Sequence, residues 1–241
     1  STTTQLDWSS TRCGQNKWTC VSAPGSYIYS TVFDNRYGYS GGTSMASPHV
    51  TGVWALLAQR FPYLQSSHIN DIIKTTSTDL GAAGVDNEFG WGLVNVQKAM
   101  DGPGQFINNF QVNLSSDAYD SFVNNIHDQS LDARRASDIQ DIDELTAAVN
   151  SRTWPANWSE GQARAMTDSE VEFLQTLIAT RTAATETRAI DPLTGQTYKG
   201  SLTKSGDGTL TLSGQNTYRG STWVRGGQLI INGSITSTAT V

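Results

Sequence analysis

The sequence predicts an α/β part over residues 1–104, a helical segment over 105–197 and β-solenoid rungs over 198–241. Three observations carry this division. In the first part a strand-like run is followed by VTGVWALLAQRF, which is apolar nearly all round. In the second, apolar residues recur at helical spacing. In the third, short runs alternate small or apolar residues with polar ones between glycines, the period-two pattern of strands.

Taken in order, SYIYSTVF (Ser26 to Phe33) has the β-branched and aromatic content of a strand. The segment from Val50 to Phe61 reads as a helix, and a helix apolar on every side belongs at the centre of a core. Pro62 stops it. HINDIIKTT reads as a second helix, capped by Ser66 or Ser67. Parallel strands and buried helices are expected here, and DGPG at 101–104 is a turn cluster at the domain edge.

In the second region Tyr119, Phe122, Val123 and Ile126 are spaced as one helical face, as are Ile139, Ile142, Leu145 and Val149. Thr167 and Glu170 have capping-box spacing, with Val171, Leu174, Leu177 and Ile178 as the stripe behind. Arg134 and Arg135 are read as part of a solvated helix face rather than as a dibasic processing site. In the third region Leu210, Leu212, Val224, Leu229 and Ile231 are expected to point inward. One or two such layers bury too little to stand alone, so the stack is expected to continue past Val241 or to rest on something else.

A length of 241 residues suits one large domain or two modest ones. A formal net charge of −6 and the absence of a basic stripe with interleaved aromatics exclude nucleic acid as the main partner. No apolar run approaches the ~20 residues needed to cross a bilayer, so a soluble segment is expected. The opening STTTQLDWSS lacks the charged and apolar regions of a secretory signal. Cys13 and Cys20 lie in TRCGQNKWTC, without metal-type CxxC spacing. They are either two thiols or a disulfide. The short, Gly- and Asn-containing spacing favours the disulfide, which would restrict the unfolded chain by about 2.5 kcal/mol and imply an oxidising compartment. Asn113-Leu-Ser, Asn157-Trp-Ser and Asn232-Gly-Ser match the glycosylation pattern. No metal cluster stands out.

The chemistry concentrates in GGTSMASPHVTG at 41–52. Gly41 and Gly42 permit a close backbone approach, and Pro48 suits the first turn of a helix. Ser44 is therefore expected where a loop enters a helix N-terminus, whose free amides favour developing negative charge. That is a fit place for a serine whose reaction makes an oxyanion. The same spacing also suits an ordinary capping serine, and a hydroxyl alone is a poor nucleophile.

GGTSMASPHVTGVWALL resembles the nucleophile block of the subtilisin-like serine peptidases, with APG at 23–25 and GWGLVNVQKAM at 90–100 as matching flanks. CGQNKWTCVSAPG resembles the cysteine loop of such peptidases carried by bacterial autotransporters. SLTKSGDGTLTLSGQNTYRGSTWVRGGQLIING is similar to the autotransporter passenger-associated repeat. The resemblance implies that residues 1–104 are the C-terminal portion of a subtilisin-like parallel-sheet domain. It implies Ser44 as nucleophile, with its own N–H as half of the oxyanion hole. Gly42 and Thr43 would lie along the substrate-facing loop, and Met45 would be sensitive to peroxide. His49, five residues after Ser44 on the same helix entry, is expected to turn its ring away from Oγ into the core. His68 and His127 fall outside any motif and are read as structural.

In this family the triad runs Asp, His, Ser along the chain. The base histidine stands about 155 residues, and the oxyanion asparagine about 65, before the serine. Both positions fall ahead of Ser1. The resemblance thus implies a serine-type endopeptidase acting on polypeptides through an acyl-enzyme. This chain holds the nucleophile but neither Asp nor His, and is inactive alone. The implied partners are the polypeptide substrate, the N-terminal fragment of the same peptidase domain and a C-terminal β-barrel translocator in the precursor. The implied location is the bacterial cell surface. No cofactor is expected: family members often hold calcium, but no ligands can be assigned here. The alternative is a structural stalk or autochaperone segment with no activity of its own.

Overall fold

The computed structural model describes residues 5–155 and 163–241. The Asn157-Trp158-Ser159 sequon lies outside them.

Ile28–Val32 (β1) pairs antiparallel with Arg36–Ser40 (β2), Tyr29 facing Tyr39 across the ladder. Asp34 and Asn35 take positive φ of 60° and 54° at the bend, where Asp and Asn cost least among residues with a side chain. So short a connection allows only antiparallel pairing. The parallel pairing expected in the first hundred residues is confined, among the described residues, to one bridge between Ser22 and Leu93. The parallel sheets lie further along the chain.

Thr43–Arg60 (α1) begins before Pro48, so Ser44 is in its first turn and the proline is inside it. The proline lacks the N–H that would bond back to the Ser44 carbonyl, which the first turns of a helix tolerate best. Although apolar all round, α1 is buried on one flank: Leu57 is 0% exposed and Leu56 48%. Ser66–Thr76 (α2) starts from Gln65 with no side-chain cap, so neither Ser66 nor Ser67 plays that part. Asn95 caps the short Val96–Met100 (α3) by accepting from the Lys98 N–H at 2.9 Å.

The helical reading of Tyr119 to Ile126 is corrected. Asn109–Asn113 (β3) and Tyr119–Phe122 (β4) are strands. Over so few residues a 3.6-residue and a two-residue period share most positions, and the pleat decides: Asp120 and Phe122 are buried, while Tyr119 is 86% exposed. The helices of this region are Ser130–Ser151 (α4) and Asp168–Thr187 (α5). Between them two-residue strands, Thr153–Trp154 (β5) and Arg164–Ala165 (β6), pair antiparallel. The Thr167–Glu170 capping box is formed in full. Leu145, Ala148, Val171 and Leu174 make a small core between the two helices. Ile139 instead stands half exposed. Arg135 is exposed, whereas Arg134 is half-buried, pairing with Asp138 at 2.9 Å and lying over the Trp18 ring.

The remaining strands are Ser201–Ser205 (β7), Thr209–Leu212 (β8), Gln215–Asn216 (β9), Thr222–Val224 (β10), Gln228–Ile231 (β11), Ser234–Ile235 (β12) and Ala239–Thr240 (β13). They stack in parallel sheets of order β13-β10-β7-β3, β11-β8-β4 and β12-β9. Thr222 lies over Leu202, Leu229 over Leu210 and Ser234 over Gln215, so each layer repeats the one before. The layer below is β3 with β4, reached across the α4–α5 hairpin. Residues 109–122 thus belong to the same sheets as residues 201–240. The fold is mixed α/β with parallel sheets.

One core runs from the helices into the sheets, joining Val53, Leu57, Phe61 and Ile72 to Phe106, Phe110, Phe122, Leu202 and Leu212. Arg60 clamps α1 to β4 by a bidentate pair with Asp120 at 2.6 and 2.7 Å, and Tyr63 Oη donates to the same carboxylate at 2.7 Å. The Lys204 ammonium is fully buried and donates to the carbonyls of Ser205, Gly206 and Gly226. Cys13 and Cys20 form a disulfide with Cα atoms 5.9 Å apart. Its loop places Trp18 edge-on to Trp91 and under Arg134. No helix among the described residues is long and apolar enough to cross a membrane.

Candidate active site

β2 ends at Ser40, and Gly41 and Gly42 turn the chain into α1. Gly42 has φ 134°, a conformation that a side chain would strain. Its N–H donates to the Gly25 carbonyl at 2.7 Å, and its own carbonyl accepts from Met45 and Ala46 at 3.0 and 3.3 Å. Those bonds open the helix. The N–H groups of Thr43 and Ser44 have no acceptor among the described residues, as the first turn of a helix dictates. An exposed serine therefore stands beside two free amide donors at a positive helix end.

Ser44 sits on the rim of an open cleft of about 510 Å³ between α1 and the hairpin. Met45, Pro48 and His49 line it from the helix, and Ile28, Ser30, Val32, Gly38 and Ser40 from the strands. The described lining holds no carboxylate, and its one histidine is His49. That ring is exposed rather than core-facing, because no described segment covers this flank of α1. Its Nδ1–H donates to the Met45 carbonyl at 2.8 Å. The ring is thereby held against its own helix.

Gly42 and Thr43 line a different cavity, of about 370 Å³, with Asp7, Pro24, Leu80 and Phe89. The structure therefore does not gather Ser44, Gly42 and Thr43 round one hollow. His68 is buried, stacked 4.5 Å from Phe110, and its Nε2 accepts the Gln111 N–H at 3.1 Å. Burial holds its pKa below the usual histidine value, the nearby Asp71 opposing only in part. His127 is likewise lowered, by burial first and Lys98 second.

Sequence reasoning passed over Gly25, although it noted APG at 23–25. A Cβ there would meet the Gly42 carbonyl at 2.9 Å and the Ala46 Cβ at 3.3 Å. The Gly25→Ala variant must displace the loop that sets the helix entry. Labelling of Ser44 by a fluorophosphonate in the complete protein should slow at least about tenfold, since small misplacements of a reacting group cost that or more. An unchanged rate would show that the loop yields without moving Ser44.

Residues 1–92 match the family model described as Subtilase family, and residues 202–231 match the Passenger-associated-transport-repeat. The chain is 39% identical to an extracellular serine protease of Serratia marcescens over 97% of its own length, spanning 21% of that protein. It is 35% identical to serotype-specific antigen 1 of Mannheimia haemolytica over 68% of its length, spanning 19% of that protein. To the autotransporter lipoprotein NalP of Neisseria meningitidis serogroup B it is 41% identical over 43% of its length, 10% of that protein. The chain thus spans about a fifth or less of these three relatives. Over residues 1–92 it belongs to the subtilase family and, with its transport repeat at 202–231, to the subtilase-type autotransporters.

Proposed function

We propose that this chain is the nucleophile-bearing part of a secreted subtilisin-like serine endopeptidase whose Ser44 attacks the scissile carbonyl of a polypeptide. The observation that carries the reading is the exposed Ser44 beside the unpaired Thr43 and Ser44 amides, at a helix N-terminus on a cleft rim. In the reaction Ser44 Oγ loses its proton to a base and bonds the carbonyl carbon. The oxyanion accepts a hydrogen bond from the Ser44 N–H, the amine leaves with a proton, and water then clears the acyl-enzyme. His49 does not serve as the base, so the base and its Asp, with the second oxyanion donor, come from upstream sequence. Gly42 and Thr43 lie along the substrate-facing loop, and Met45, half-buried in the cleft, is the site of peroxide inhibition. The exposed flank of α1 receives the N-terminal fragment of the same domain. The whole protein works at the cell surface after export through an outer-membrane barrel translocator. A fluorophosphonate probe offered to this chain alone and to the chain with its upstream segment should label Ser44 only in the second case. Labelling of the chain alone would overturn the assignment of the missing groups.

The parallel layers support a second, compatible role. Stacked from β3 and β4 through β13 with one repeating register, they are rungs of a β-solenoid that scaffolds the helices packed on them. Removing residues 200–241 from the full-length protein should lower the yield of folded, surface-displayed protein. Normal display with normal folding would refute the scaffold.

A further inference from the structure

A second kind of cavity, of about 230 Å³, lies where the first part of the chain meets the α4–α5 hairpin. Trp18 of the disulfide loop, Lys74 of α2, Ser130 and Arg134 of α4, and Arg188 just past α5 all reach it. Buried polar groups are nearly always hydrogen-bonded. Three of these residues nevertheless hold a buried polar atom with no such bond among the described residues: Trp18 Nε1, Ser130 Oγ and Arg188 Nε. An indole or guanidinium nitrogen can only donate, and a hydroxyl can. Arg188 Nε does lie 2.6 Å from Asp138, but without the alignment of a hydrogen bond.

Charge points the same way. The described lining holds no carboxylate. Lys74 pairs with Asp71 at 2.8 Å, and Arg134 shares Asp138 with Arg188, so three cations divide two carboxylates that stand outside the lining. One positive charge is left uncompensated. Burial, together with the Arg188 charge and against the pull of Asp138, holds the Arg134 guanidinium below the usual arginine range. An anion in the cavity would relieve that field. The remaining walls are apolar, from the Trp18 and Trp91 rings, Ile107 and Leu131.

We propose that this cavity binds a small monocarboxylate with an apolar body. A single excess positive charge matches a monoanion rather than a doubly charged phosphate. Two carboxylate oxygens suit guanidinium donors, which favour planar oxyanions. The unbonded indole N–H and serine hydroxyl supply further donors, and the aromatic walls take the body of the ligand. Binding is independent of the chemistry at Ser44, which borders a different cavity.

The test is equilibrium dialysis of the full-length protein against labelled 3-phenylpropanoate, with 3-phenylpropanamide as the uncharged control. The acid should be retained and the amide bound at least about tenfold more weakly, the loss expected when a charge-assisted hydrogen bond becomes a neutral one or is lost. Ser130→Ala and Trp18→Phe should each raise the Kd for the acid about tenfold. Ser130→Ala should also melt as the parent does without ligand, because its hydroxyl has no protein bond to lose. It thereby separates lost binding from lost folding. The parent midpoint should rise with ligand concentration and that of Ser130→Ala should rise less. Failure to retain the acid overturns the site, as does equal retention of the amide. Equal Kd values for the parent and both variants would place the ligand elsewhere and also overturn it. Displacement of the acid by inorganic phosphate at equal concentration would overturn the monocarboxylate assignment.

Discussion

Replacing Ser44 with alanine in the full-length protein should abolish the proposed peptide-bond hydrolysis, lowering kcat by about a millionfold, the order lost when a subtilisin loses its nucleophile. The fold should not notice. Ser44 is exposed, and no side-chain hydrogen bond ties it down among the described residues. Alanine is the best helix former, and α1 is started by the Gly42 carbonyl rather than by the serine hydroxyl. The denaturation midpoint should therefore move by no more than about 0.5 kcal/mol of stability, as for surface substitutions in general. The two measurements separate a nucleophile from a cap. A capping serine would lose up to about 1–2 kcal/mol on the same change with activity largely kept. Residual hydrolysis above about a hundredth of the parent rate would remove Ser44 from the chemistry.

The helix entry that carries Ser44 was the most legible local feature of the candidate site, because its signals lie close together in sequence. Two glycines, a serine and a helix entry fall within a few residues, and the structure places them as that spacing requires. What surrounds the site was less legible, because burial depends on segments far away in sequence. VTGVWALLAQRF reads as a helix for the centre of a core, yet the described chain covers only its Val53–Leu57 flank. His49 lies outside that flank: among the described residues no core reaches its ring, which bonds the Met45 carbonyl of its own helix. In 119–126 the apolar spacing fits helix and strand alike, and the partner that settles it, β8, lies beyond the whole α4–α5 hairpin. Asp120 was the available signal. A lone acid alternating with buried residues needs a partner inside, and Arg60 is that partner. The stacked layers and the capping box were readable because glycine turns, period two and the Thr-x-x-Glu spacing are set within each segment.

Asp120→Ala should destabilise the protein by about 3 kcal/mol, measured by chemical denaturation at pH 7. Breaking one side of a buried pair costs about 3–5 kcal/mol because the other charge is left uncompensated. The lower end applies because Arg60 keeps 31% of its side chain exposed and water screens it in part, whereas Asp120 is 8% exposed. Burial alone would raise the Asp120 pKa, but the hydrogen bonds from Arg60, Tyr63 and the Ser121 N–H outweigh it and leave the carboxyl below its ordinary value. The sign of the pH dependence follows. A carboxyl with a depressed folded-state pKa contributes in full above its unfolded value of about 3.9, and that contribution is lost as pH falls through the folded value. The gap between parent and variant should stay level from pH 7 to about 5 and close below pH 4. Because the pair ties α1 to β4 within one core, tryptophan fluorescence and far-ultraviolet dichroism should fall in a single transition at a lowered midpoint. Two separated transitions would mean that the helices fold without the stack. Asp120 touches nothing in the Ser44 cleft. The folded fraction of the variant should therefore label at the parent rate, and its lost activity should track only its lost stability.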